Sequence, residues 1–170
     1  MNTDQKTVAI GAASGAVAMA ILVFLLYSIL PTISGVETLL DKLVFTLRLN
    51  VLAAVPLFVG LVVVSNGRFL SRAIDPLRHA EDRAMEVNGR VVDNTLQQNF
   101  VFFVGTLALS TFLTHETLKL IPALVAVYIL ARIVFWVGYR IDPLYRAPGM
   151  AATSYMNAGI LLSVLYLSFF

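Results

Sequence analysis

Arg90, Asn94 and Gln97 stand at i, i+4 and i+7, and Arg132, Phe135, Trp136 and Tyr139 stand at i, i+3, i+4 and i+7. Each spacing puts its members on one stripe of a helix. Both stripes open or close long apolar runs, where guanidinium and amide groups are costly to hold and therefore mark function. An arginine sunk in hydrocarbon stays protonated, so Arg132 needs a carboxylate, a ring of carbonyls and amides, or an anionic ligand. The apolar runs 95–113, 118–139 and 151–170 contain no Asp or Glu. The countercharge must then come from an acid in the loop before residue 94, from a neighbouring subunit, or from a bound anion. A structural network, a ligand site and an ion or proton path are the three readings of this constellation.

Other chemistries have no residues to run on. Cysteine is absent, which removes disulfides, thiol catalysis and Cys-based metal sites. There is no HExxH, nucleophile elbow, P-loop or dinucleotide fingerprint. His115 lies in a short polar turn without metal-ligand partners, and reads as solvated. No Lys/Arg run points to nucleic acid.

The elements that must position these side chains follow from composition. Hydrophobic residues make up 59% of the 170 and charged ones 13%, against about half and about one quarter in soluble domains, so the chain is expected to be an all-α integral membrane protein. A first span covers residues 8–30, enough to cross roughly 30 Å of hydrocarbon, and Pro31 ends it. It runs well past the Ala16-Val17-Ala18 site that a signal peptidase would use, so an uncleaved anchor is expected. Gly11 and Gly15 form a GxxxG that permits close helix contact. A second span, residues 43–64, takes in Arg48 and Asn50 near one end, with Arg48 snorkelling to the interface and Pro56 predicting a kink. Residues 65–93 are hydrophilic; Asp75-Pro76 breaks them and 78–87 reads as helical. Residues 95–113 and 118–139 form a hairpin of two spans around the turn 114–117. A tight linker, 142–149, leads to a fifth span, 151–170.

Depth can be read from the same geometry. Gln97 lies about 10 Å inward from Arg90 and Arg132 about 12 Å inward from Arg140, at about 1.5 Å per residue. In an antiparallel pair the two come to similar levels. With five spans, Lys6, Arg68, Arg72, Arg78, Arg83, Arg90, Arg140 and Arg146 fall on one side and Lys42, Arg48 and Lys119 on the other. The positive-inside bias then puts the N-terminus in the cytoplasm and the C-terminus on the luminal, periplasmic or exterior side. Trp136, Tyr139 and Tyr145 also fit as interfacial anchors.

These residues resemble the MAPEG superfamily, the membrane-associated proteins in eicosanoid and glutathione metabolism. That family carries Arg-x3-Asn-x2-Glu in one helix and Ala-Arg-x2-Tyr-x2-Gly-Tyr in the next. Arg90 and Asn94 match the first pattern, with Gln97 in place of the Glu and Gln98 in the usual tyrosine place. Ala131, Arg132, Gly138 and Tyr139 match the second, with Phe135 for the first tyrosine. The resemblance covers residues 43–170 and leaves 1–42 as an added transmembrane helix and linker. It implies a four-helix subunit, hence five spans here, that forms a homotrimer with glutathione between subunits near the cytoplasmic face. Arg90, Asn94, Gln97, Arg132 and Tyr139 would hold the cofactor. Arg146 would activate the thiol by its spacing from Arg132, or else Arg68 at the end of the second span. The acceptor would be a lipophilic small molecule entering from the bilayer, in a transferase or peroxidase reaction. Gln97 in place of Glu loses a charge-assisted hydrogen bond worth about 1.5–3 kcal/mol, roughly 10- to 100-fold in affinity. The strings Asn94-Thr95-Leu96-Gln97-Gln98 and Leu109 to Pro122 resemble a mattrin-like branch associated with trafficking and receptor regulation. That implies a non-enzymatic alternative.

Overall fold

The computed structural model describes residues 1–75, 77 and 80–170. Asn2 starts the first helix with a reciprocal cap: its side chain accepts from the Gln5 amide at 2.8 Å while its own amide donates to the Gln5 side chain at 3.0 Å. Helix α1, Thr3–Ile29, then runs to Leu30, whose extended backbone (ψ 135°) is what a residue before proline adopts. Thr38 and Asp41 cap α2, Leu39–Phe69, in the same reciprocal way. This helix is longer at both ends than the 43–64 expected from the apolar run. It also continues through Pro56, at the loss of one hydrogen bond to the Leu52 carbonyl.

Asp82 caps α3, Arg83–Phe112, by accepting from the Met85 amide at 2.8 Å. The separate short helix expected at 78–87 merges with the span at 95–113, because no proline intervenes after Asp82. Arg78 itself lies outside the described residues. The turn 114–117 is closed by the Thr114 and Thr117 side chains, and α4 follows at Leu120–Ile141. A 3-10 turn, Pro143–Arg146, is held by Asp142 accepting from the Leu144 amide at 2.7 Å. It leads into α5, Ala147–Phe169. The last helix thus begins four residues before the expected 151. Pro148 fits its first turn because an amide there has no helical partner to lose.

Contacts at the helix ends fix the topology. Lys42 at the start of α2 donates to the Leu113 carbonyl after α3 at 2.7 Å. Lys119 before α4 donates to the Leu30 carbonyl after α1 at 3.1 Å and lies over the Tyr27 ring at 4.8 Å. At the opposite end Arg68, finishing α2, pairs with Glu81 ahead of α3 at 2.7 Å. The helices therefore alternate in direction. Helices α2 to α5 share a core of Ala53, Phe102, Leu109, Leu124, Val127, Tyr128, Met156 and Ile160, with Phe102 stacked on Tyr128 at 4.3 Å between centroids. Helix α1 lies at the edge of this core, against α5 and α4; it packs Met19, Leu22, Val23 and Leu26 onto the core and fully buries only Gly15.

Among the described residues four helices, α1, α2, α4 and α5, are long and apolar enough to cross a membrane. Helix α3 is long enough but carries Arg90, Asp93, Asn94, Gln97, Gln98 and Asn99 in one stretch. Large apolar side chains such as Phe24, Phe58, Phe100 and Leu162 remain exposed around the bundle, which suits a hydrocarbon solvent and no aqueous one.

Candidate functional site

The amides of α3 divide between two tasks. Asn99 donates to the Ala53 carbonyl of α2 at 3.0 Å. Gln98 donates to Ser154 of α5 at 3.2 Å and accepts from Asn157 at 2.8 Å. Near the other end of α3, Asn50 and Thr106 are buried and joined at 3.0 Å. These bonds satisfy polar groups within the bundle, where lipid offers no partner. Asn94 and Gln97 point the other way, into a groove.

That groove, about 270 Å³ in volume, is lined by Arg90, Asp93, Asn94 and Gln97 of α3, Phe135 and Tyr139 of α4, Arg146, and Met150 of α5. Six of the nine residues that spacing and resemblance single out, Arg90, Asn94, Gln97, Phe135, Tyr139 and Arg146, are brought together here. Arg90 is exposed and pairs with Glu86 at 2.8 Å, and this bond holds its pKa above the usual arginine range. Arg146 donates to the Pro143 carbonyl at 2.6 Å and lies 5.0 Å from the Tyr139 ring centroid. Tyr139 meets Phe135 edge-on at 5.8 Å. Gln97 has no hydrogen bond among the described residues.

Arg132 forms the back of this wall and is 1% exposed. Its guanidinium donates to Asn94 Oδ1 at 2.9 Å, Thr153 Oγ1 at 2.7 Å and the Gly149 carbonyl at 3.3 Å, and packs 4.4 Å from the Phe135 ring centroid. Its Nε has no hydrogen-bond partner among the described residues. Gly149 permits this arrangement. A Cβ there would collide with the backbone of Ala131 and Phe135, so only glycine lets α5 come close enough to α4. The expectation that the countercharge of Arg132 must come from an acid, a neighbour or a bound anion is therefore corrected, and the other expected answer, a ring of carbonyls and amides, is the one that meets it. Neutral oxygens of its own chain do so, and Asn94 links that internal network to the groove.

Arg68 takes no part in the groove. Its Nε and Nη2 donate to Glu81 at 2.8 and 2.7 Å where α2 ends, so this one of the loop acids is engaged there. Trp136 does more than anchor at an interface, since its indole N–H donates to buried Asn88 at 3.0 Å. Asp93 and Met150 line the groove without having been singled out. Asp93 was legible three residues after Arg90, on nearly the same stripe. Met150 was not, because its approach depends on how α5 docks. Among the described residues no group of His, Cys, Asp and Glu could hold a metal ion.

Comparison with known proteins covers all of these helices except α1. Transmembrane protein 79 of Mus musculus is 29% identical over 132 residues, 78% of this chain and 34% of that protein. Transmembrane protein 79 of Bos taurus is 26% identical over 132 residues, 78% of this chain and 33% of that protein. The chain thus spans about a third of the length of these curated relatives. No solved structure matches. The MAPEG family model matches residues 46–166, from within α2 to near the end of α5 and including every groove residue. This multi-pass membrane chain belongs to the MAPEG family.

Proposed function

We propose that the groove binds glutathione or a related anionic peptide at the cytoplasmic face, and that a homotrimer completes it. The observation that carries this reading is the convergence of Arg90, Asn94, Gln97, Tyr139 and Arg146 in one groove in front of buried Arg132. Arg90 supplies charge for the ligand's carboxylates, while Asn94, Gln97 and Tyr139 supply donors and acceptors for its amides. At about 270 Å³ the groove is just below the roughly 300–1,000 Å³ of ligand pockets, which supports completion by a neighbouring subunit. Arg146 placed beside the thiol lowers its pKa. The thiolate then forms a sulfur–carbon bond with a lipophilic epoxide from the bilayer, as the ring carbon–oxygen bond breaks and the oxygen leaves as an alkoxide that takes up a proton from water. Alternatively, two thiols become a disulfide as a hydroperoxide is reduced to alcohol and water. The lysine and arginine asymmetry supports a cytoplasmic N-terminus and a C-terminus on the opposite side.

A second reading is a non-enzymatic membrane protein of trafficking or receptor regulation. Two observations favour it: Gln97 carries no charge, and Arg132 is answered within the chain. Thermal unfolding of the detergent-solubilised protein in millimolar glutathione separates the two. Binding raises the midpoint by mass action, by about 2.7 kcal/mol of stabilisation at 100-fold over Kd. The Arg146→Ala variant loses that increment, and turnover of a chromogenic electrophile accompanies binding in an enzyme. No shift in the unaltered protein rules out the glutathione reading.

A further inference from the structure

Among the described residues Asp93 is the one carboxylate that lines the groove, set among Arg90, Arg146 and neutral side chains. It is exposed and acts on Arg90 only through space, since among the described residues no hydrogen bond or close ion pair holds it, whereas Glu86 is held by Arg90 and Glu81 by Arg68. A groove built only to hold an anion is weakened by such a group, since a carboxylate repels the ligand that the two guanidinium groups attract. The same carboxylate becomes an asset if the ligand also carries an ammonium. Asp93 sits one turn from Gln97 and about 6 Å from it along the axis, at about 1.5 Å per residue. A ligand with a carboxylate on Arg90 and its thiol toward Arg146 can therefore set an amine near Asp93 and its amides against Asn94 and Gln97.

From this juxtaposition we infer that Asp93 is a specificity-determining residue that selects a zwitterionic peptide, one bearing a free α-amine beside its carboxylates, over a purely anionic analogue. The inference rests on the glutathione reading, but it is decided by a separate comparison. The charge that Gln97 lacks is supplied one turn nearer the helix start, so the site keeps an acid while changing its place.

The test measures Kd for reduced glutathione and for N-acetylglutathione, whose amine is blocked, on the full chain in lipid nanodiscs. The unaltered protein should prefer glutathione by at least about 5-fold, the scale of one partly solvated charge pair. Asp93→Asn should weaken glutathione and tighten N-acetylglutathione, because it removes an attraction from one ligand and a repulsion from the other. Asp93→Glu should retain the preference, and Gln97→Glu added to Asp93→Asn should restore it. A merely structural aspartate would weaken both ligands together, and that result overturns the inference, as does equal affinity of the unaltered protein for the two. Equal affinity leaves glutathione binding itself standing. Failure of both ligands to bind the unaltered protein removes the two proposals together.

Discussion

Arg132 has three neutral acceptors and one unpartnered nitrogen, and this arrangement decides what the residue does. Hydrogen bonds to a charged group are worth about 1.5–3 kcal/mol each, and losing an acceptor leaves a buried donor unpaired. Thr153→Val keeps the side-chain shape and removes the hydroxyl at 2.7 Å, so we expect a loss of about 1.5–3 kcal/mol. Thermal or denaturant unfolding in detergent would read it. A change within error would mean that Gly149 and Asn94 alone suffice. Spacing alone exposed Arg132 as a buried cation, because the apolar run around it is visible in the sequence. It did not reveal Thr153 or Gly149, which sit 21 and 17 residues further on and reach Arg132 only through the docking of α5.

Helices meet here through small residues, and two of the close approaches differ in consequence. Gly149 brings α5 onto α4 inside the bundle, whereas Gly15 brings α1 onto the Pro148 carbonyl at its edge. Backbone stands where either added Cβ would go, so neither contact can adjust by side-chain rotation. Gly149→Ala should therefore destabilise the whole bundle by about 1–3 kcal/mol and disturb the Arg132 network. Gly15→Leu should detach α1 while α2 to α5 remain folded. Cross-linking of α1 to α5 and the unfolding midpoint, measured on both variants, distinguish these outcomes. Equal loss of stability in the two would contradict a peripheral α1. GxxxG at Gly11 and Gly15 was a visible signal for that contact. Helix boundaries were less legible: the hydrophilic start of α3 and the Pro148-Gly149 start of α5 continue helices whose apolar runs begin later.

Alternating helix directions place Lys6, Arg68, Arg90, Arg140 and Arg146 toward one end of the molecule and Lys42 and Lys119 toward the other. The absence of cysteine gives a direct test of orientation, since any introduced thiol is unique. Asp4→Cys should be shielded from a membrane-impermeant maleimide in sealed, right-side-out cells, and Ser168→Cys should react. Labelling of both from the same face would overturn five crossings. The sequence by itself determined the solvent and the class, because an apolar excess of this size has only hydrocarbon to face and helices are its means of pairing every amide. It also determined which stripe carries the polar chemistry, because helical periodicity is local. The tertiary structure decided which polar groups are spent on the fold and which face the groove. Gln97 and Gln98 are neighbours of one type, yet one faces the groove and the other binds α5, and that division depends on where distant backbones come to rest.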